Sequence, residues 1–412
     1  MLSTQIAPSS PYPHARPGGE NGGRASRRRA SASDGEEEEC PQLWFLDHAP
    51  ILGGAERFAL KLAAAASARS PAIRCVIVCP EQSELAARGR SAGFEVRHAD
   101  FPSVSPPSGR APAAIVALHR LIAGAPSSAI LVANSARAQA YVAAACALSR
   151  DRHPIVNLAH EQDTAARRIA RATLRRGGPL VAIGANTALA YERALPGVTV
   201  HKINNVLDDV ELQSATRARA RALRLAVLAR MVPEKGLLEL LDEAAANVEH
   251  WSTLAIAAPP QDRAYEARVH VRIAELALGD RVRLLGAVTD VPGFLDVADV
   301  LVVPSTGYEG QPTSIIEALA RGLPVLVREP ILSDDFDGMP VHAYRDARDF
   351  GAALVALRPS LASVRDMRRR FGAQQAIDGL LAAARVSEPV NGWETRGAVA
   401  RSRSRPLTAH RA

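Results

Sequence analysis

The stretch ADVLVVPSTGYEGQPTSIIEALARGLPVLV, Ala298 to Val327, decides the reading of the chain. ADVLVVPS is a short apolar run with three valines, the pattern of a buried strand. STGYEGQP is a polar loop at the carboxyl end of that strand. A helix is expected to begin at Pro312, because proline is accommodated in a first helical turn. LPVLV then reads as the next buried strand. Free backbone N–H groups around Thr313 to Ile315 would face the strand-end rim, where they suit an anion.

The same text repeats outward in both directions. LWFLDHA, IRCVIVCP, FEVRHAD, AILVANS, PIVNLAHE and LVAIGAN are short apolar strands, most of them separated by Ala-rich helical stretches. LRLAVLAR, STLAIAAPP and VRLLGAV continue the series after a connector, QSATRARARA. Strands alternating with helices imply mostly parallel sheets covered on both faces. The expected organisation is a polar tail over 1–42, an α/β domain over 43–208, a linker over 209–221, a second α/β domain over 222–384 and a basic tail over 385–412. Two such domains in tandem hold ligand in the cleft between the carboxyl ends of their strands.

Composition narrows the class. Of 412 residues, 47% are hydrophobic and only 4% aromatic, so the cores must be built from Ala, Val, Leu and Ile. No apolar run approaches the roughly 20 residues that span a bilayer. The chain start lacks a basic residue followed by an apolar block, which argues against a secretory signal. Its Ser/Arg-rich text fits either a transit peptide or, as preferred here, a polar tail. The net charge of +7 is unevenly spread: RASRRRASASDGEEEE sets a basic block beside an acidic one, and a terminal segment carries five arginines after its last acid. With no recognisable nucleic-acid module, these ends carry no expectation of nucleic-acid binding. Cys75 and Cys79 share one parity in IRCVIVCP and are expected as small core residues rather than metal ligands. Cys40 and Cys146 add no disulfide framework.

Two loops hold the candidate chemistry. In LAVLARMVPEKG, Arg230 ends a strand and Lys235 precedes a helix, so both cations point toward the cleft and together suit a diphosphate. A strand-end salt bridge and a solvated lysine are the plain alternatives. In the opening stretch Glu309 sits on the loop and Glu317 more than a turn inside the helix. Spacing leaves two readings open. One carboxylate reaches a sugar and the other a ribose, or Ser314-x-x-Glu317 is a capping box and Glu309 an exposed loop acid.

The order of GGAE at 53–56, ARMVPEKG at 229–236, GAVTDVPGFLDVADVLVVPS at 286–305 and EGQPTSIIEALARGLPVLV at 309–327 resembles the GT4 family of retaining glycosyltransferases. The resemblance covers about 43 to 385. It implies the GT-B fold, α/β with two facing Rossmann-like domains and a donor cleft between them. By resemblance, Arg230 and Lys235 neutralise the diphosphate of a nucleotide-sugar donor. Glu309 holds hydroxyls of the transferred sugar, and the segment Gly310, Gln311, Pro312, Thr313 and Ser314 contacts phosphate and sugar. Glu317 binds the ribose, Gly53 and Gly54 close over the donor phosphates, and His160 lies near the sugar. Asn205 matches a turn residue of the family, with a structural role.

The family implies no metal and no cofactor beyond the donor co-substrate. It implies a glycan, lipid-linked or small-molecule acceptor, cytoplasmic work in a polysaccharide pathway, and hexosyl transfer. Three departures stand out. STLAIAAPP lacks the usual glycine-containing loop near the base, Val206 replaces a turn glycine, and ILSDDFDGMP replaces the common G-G-x-x-E segment. Asp335-x-Asp337 within it reads as an acidic loop. A catalytically silent nucleotide-sugar-binding protein and a nucleotide-sugar epimerase are the competing functions. RRIARATLRR, residues 167 to 176, is either a solvated basic face or a peripheral contact for an anionic membrane on its inner face.

Overall fold

The computed structural model describes residues 41–69, 72–103, 109–149, 153–160, 164–174, 178–207, 222–357 and 364–386. The expected linker 209–221, nearly all of both tails, Cys40, Arg175 and Arg176 lie outside the described residues.

The first half runs β1 (Gln42–Leu46), α1 (Gly54–Ser67), β2 (Arg74–Cys79), α2 (Glu84–Ser91), β3 (Glu95–His98), α3 (Ala111–Ala123), β4 (Ile130–Ala133), α4 (Ala136–Cys146), β5 (Ile155–Ala159), α5 (Thr164–Thr173), β6 (Leu180–Ile183), α6 (Ala185–Ala194) and β7 (Val200–Ile203). Its strands are parallel, in the order β3-β2-β1-β4-β5-β6-β7. The alternation of a strand sends its side chains to two separate cores. Leu43 and Phe45 join Ile77 beneath α1, whereas Trp44 and Leu46 join Val76 and Val78 beneath α3 and α4. Cys75 and Cys79 fall together on the α1 side, where the Cys75 thiol donates to the Ala63 carbonyl at 3.4 Å. Each fully buried Leu, Ile or Val contributes roughly 1.5–3 kcal/mol, so two Ala/Val/Leu faces suffice with few aromatics.

The second half runs β8 (Leu223–Leu228), α7 (Leu237–Ala245), β9 (Trp251–Ala257), α8 (Arg263–Glu275), β10 (Val282–Leu284), α9 (Val291–Asp296), β11 (Val300–Val303), α10 (Thr313–Ala320), β12 (Val325–Arg328), β13 (Val341–Tyr344) and α11 (Ala347–Ala356). It repeats the pattern as a parallel sheet, β10-β9-β8-β11-β12-β13. In both sheets the chain order reverses beside the first strand, between β1 and β4 and between β8 and β11. Ligands of such sheets bind at that switch point, outside the carboxyl ends.

Two elements depart from the sequence expectation. The edge strands β7 and β13 were not anticipated, because each is buried on few positions and so lacks an apolar run. The chain also crosses back. After α12 (Val364–Phe371), α13 (Ala373–Val386) lies against the first half, placing Ile377, Leu380 and Ala383 in the core with Leu43 and Phe58. Residues 373–386 therefore complete the first half rather than the second, to which 222–384 had been assigned. The outward and return crossings touch where the Leu207 N–H donates to the Phe371 carbonyl at 2.8 Å.

Candidate active site

A cleft of about 1150 Å³ opens between the two switch points. Gly53, Gly54, His160, Arg230, Lys235, Glu309, Gly310, Gln311, Pro312, Thr313, Ser314 and Glu317 all line it. The sequence separates these residues by up to 264 positions, from Gly53 to Glu317, and the fold brings them to one cavity.

The wall from the second half is built by two interlocked loops. After β8 a single 3-10 turn, Pro233–Lys235, ends at Gly236 with φ +65. A Cβ there would stand 2.1 Å from the Pro304 carbonyl oxygen, so this crossing requires glycine. The Glu234 carbonyl accepts from the N–H groups of Thr306 and Gly307, both at 3.0 Å, which fixes the β8 loop on the β11 loop. Lys235 is thereby aimed at Glu309 and forms an ion pair with its Oε1. Ser305 Oγ donates to the same oxygen at 2.6 Å. Both partners are largely buried, 15% and 14% exposed, so Lys235 is neither solvated nor idle. Arg230 is held more loosely: it is 55% exposed, with Glu234 at 3.8 Å and Gln261 at 3.4 Å.

The opening helix begins one residue later than expected. Pro312 is the extended residue before α10, at φ −60 and ψ 119, and no side chain caps the helix. Ser314 is thus the second helical residue, and the Ser314–Glu317 capping box does not form. Glu317 instead lines the cleft and a smaller adjoining pocket of about 190 Å³, bounded also by Val291, Leu295 and Ile316.

Gln311 lines the cleft, and its side chain also joins the two halves. Its Oε1 accepts from the Asn205 N–H at 2.6 Å, its Nε2 donates to Asn204 at 3.0 Å, and its carbonyl accepts from Asn205 Nδ2 at 2.8 Å. The side chain is therefore spent on the turn that ends β7, and Asn205 is structural as expected. Gly310 lies against the first half, where a Cβ would meet Thr187 Oγ1 at 2.7 Å and the His160 carbonyl at 3.1 Å. Asp335 is not part of an exposed acidic loop. It is 3% exposed and accepts from Lys202 Nζ and the Ala185 N–H, both at 2.6 Å. Burial alone would raise its pKa, but these bonds outweigh it and hold the carboxyl below its ordinary value. Asp337 is exposed.

The wall from the first half is of another kind. Gly53 caps α1, and its N–H donates to Glu56 Oε2 at 2.8 Å, while a Cβ on Gly54 would meet nothing within 4 Å. Behind this turn a polar chain runs inward. Asn134, at the end of β4, gives its Nδ2 to the Asp47 carboxylate and to the Ala55 carbonyl, the latter at 3.0 Å. Its Oδ1 faces His160 Nε2 at 3.0 Å, and Phe58 packs edge-on to the imidazole at 5.3 Å. Burial lowers the His160 pKa to about 4, so the ring is neutral. Burial, with the charge of Glu56, pushes Asp47 up to about 7.

The reading of sequence missed Asp47, Asn134 and Glu56. The signal was present, since LWFLD and ILVAN each end an apolar strand in a polar residue on the rim, as LAVLAR does. Of RRIARATLRR, Arg167 lines the cleft, Arg171 donates to the Ala194 carbonyl at 2.8 Å, and Ala170 is buried. The segment is therefore not one uniform basic face. Among the described residues no group of acids, histidines and cysteines could hold a metal ion, and no helix is long and apolar enough to cross a membrane.

Residues 222–358 match the family model described as glycosyl transferases group 1. An 86-residue segment is 36% identical to the UDP-Gal:alpha-D-GlcNAc-diphosphoundecaprenol alpha-1,3-galactosyltransferase of Escherichia coli, covering 20% of this chain and 22% of that enzyme. The match thus spans about a fifth of the curated relative. The fold is similar to that of Anabaena HepE, solved with UDP and glucose, at a TM-score of 0.68 and 17% identity over 84% of this chain and 100% of the other. It is also similar to the lipopolysaccharide outer core galactosyltransferase WaaB, at 0.67 and 15% identity over 84% and 99%. The two parallel-sheet halves form a GT-B fold.

Proposed function

We propose that the protein transfers a sugar from a nucleotide-diphosphate donor to a glycan or lipid-linked glycan acceptor, with retention at the anomeric carbon. The observation that carries this reading is the convergence of Arg230, the Lys235–Glu309 pair, His160 and the uncapped start of α10 on one cleft. In this reading Arg230 and Lys235 neutralise the diphosphate, and the charge developing as it departs is met by fixed donors. Glu309 holds Lys235 in place and offers its other oxygen, Oε2, to sugar hydroxyls. The Thr313 and Ser314 amides meet phosphate. Glu317 binds the ribose, and the base extends into the smaller pocket beside Val291 and Leu295, which supplies a base site that the STLAIAAPP strand lacks. The centre left behind is oxocarbenium-like, and the departing phosphate takes the proton of the acceptor. Arg167, on the opposite wall, meets an anionic part of the acceptor. The exposed Arg168 beside it is available to an anionic membrane surface, which flotation with anionic and neutral liposomes tests.

The direct test is incubation with a panel of nucleotide sugars, with calorimetry for binding and intact-mass detection of products. Binding with sugar transfer to an acceptor supports the reading. Binding without turnover points to a silent binding protein, an isomerised donor to an epimerase, and failure of every donor to bind overturns the proposal.

A further inference from the structure

We propose that Asp47 and Asn134 are positioning residues that lock His160 in a single tautomer, with the proton on Nε2 and the lone pair on Nδ1. The Asn134 amide cannot turn over. The Ala55 carbonyl, 3.0 Å from Asn134 Nδ2, can only accept and so demands a donor there, and Asp47 takes the second hydrogen of the same group. Oδ1 is then the atom left for His160 Nε2 at 3.0 Å. An amide oxygen can only accept, so Nε2 must carry the hydrogen. In a neutral imidazole that leaves Nδ1 bare.

Each link is sheltered. Asp47 and Asn134 are both 0% exposed, and Asp47 is itself fixed by the Ala49 N–H at 2.9 Å. Phe58 holds the ring edge-on, and the His160 carbonyl lies against Gly310 of the other half. Nδ1 has no partner among the described residues. It is thus an acceptor of fixed direction in the cleft, suited to a ligand hydroxyl rather than to a phosphate, because an anion brings no proton for it to accept. The tautomer stands on the geometry alone; the hydroxyl being that of a sugar rests on the function proposed above.

The full chain labelled with [15N]histidine tests this by NMR at pH 7, with His160→Gln identifying one signal among 11 histidines. His160 of the wild type is expected almost wholly as the Nε2–H form. Asn134→Leu should give a mixture of tautomers, and Asp47→Ala, which leaves only the Ala55 carbonyl to hold the amide, should give a smaller but measurable fraction of the Nδ1–H form. If Asn134→Leu does not fold by circular dichroism, Asp47→Ala decides alone. A wild-type Nδ1–H ring, or a folded variant that keeps the pure Nε2–H form, overturns the proposal. Turnover in Asp47→Ala should fall roughly tenfold, within the up to about 10²-fold that a misplaced positioned group can cost, with the donor KM little changed. Tautomers as expected in a protein that turns over no nucleotide sugar would leave the lock standing and remove the transfer reading. Transfer with the wrong tautomer would do the opposite.

Discussion

The two walls of the cleft are built from the same supersecondary unit, yet they handle charge in opposite ways. On the second half, the loops after β8 and β11 carry Arg230, Lys235 and Glu309 to the rim as charged groups, with Arg230 still mostly in solvent. On the first half, the loops after β1 and β4 carry Asp47 and Asn134 inward, and burial drives both Asp47 and His160 toward their neutral forms. Burial depth at equivalent strand ends therefore sets whether a polar side chain meets a ligand as a charge or as a directed hydrogen bond. The rim of the second half is suited to an anion, and the buried strand ends of the first half to neutral hydroxyls.

Removing the charge from the second wall should give the largest effect. Lys235→Ala is expected to lower turnover by about 10²–10³, the usual loss for one fixed donor to a developing charge. Its thermal midpoint should change far less, since no core packing is lost. A variant with turnover within a few-fold of wild type would show that the pair is only a structural brace. Moving the walls apart without touching a charge should cost less. Gly310→Ala introduces a Cβ 2.7 Å from Thr187 Oγ1, and a displacement of about 1 Å can cost up to 10²-fold. Steady-state kinetics should then show a falling kcat with donor affinity largely kept, and unchanged kinetics would mean that the halves are not held this closely during turnover.

The contrast also explains what could be read from the chain. Arg230, Lys235, Glu309 and Glu317 sit in two local stretches, ARMVPEKG and EGQPTSIIEALARGLPVLV, so the family resemblance could name them together as candidates, where spacing alone left their roles open. Repeated strand–helix text likewise revealed the two parallel sheets. Asp47 and Asn134 are 87 residues apart and meet only in the fold, and no local pattern couples them. The side-chain bonds of Gln311 were hidden for a related reason. Its neighbours in sequence belong to the donor loop, but its partners, Asn204 and Asn205, lie across the cleft. The return of α13 to the first half escaped because an amphipathic helix does not state which sheet it will cover.

The clasp between the halves ranks next. Asp335→Ala strands the Ala185 N–H and releases Lys202, which is 43% exposed and rehydrates readily. The expected loss is about 1–3 kcal/mol for the buried unsatisfied group, read as a lower urea midpoint. No change would mean that the two halves stay docked without this carboxylate.

The smallest expected effect separates the two walls by the sign of a pH dependence. Asp47 has its pKa raised from 3.8 to about 7, first by burial and then by Glu56. Between those values the folded protein holds a proton that the unfolded chain has released, so this contribution is full below about pH 4 and is lost as pH rises to about 7. His160 works the other way. Its pKa falls from 6.5 to about 4 through burial, so its contribution is present above about pH 6.5 and is lost on acidification. The two slopes oppose each other over the same window and flatten the wild-type curve. Asp47→Asn removes only the first, so denaturation midpoints of the variant should climb more steeply between pH 4 and 7 than those of the wild type. Parallel curves would mean that Asp47 is ionised throughout, and the first wall would then present a charge like the second.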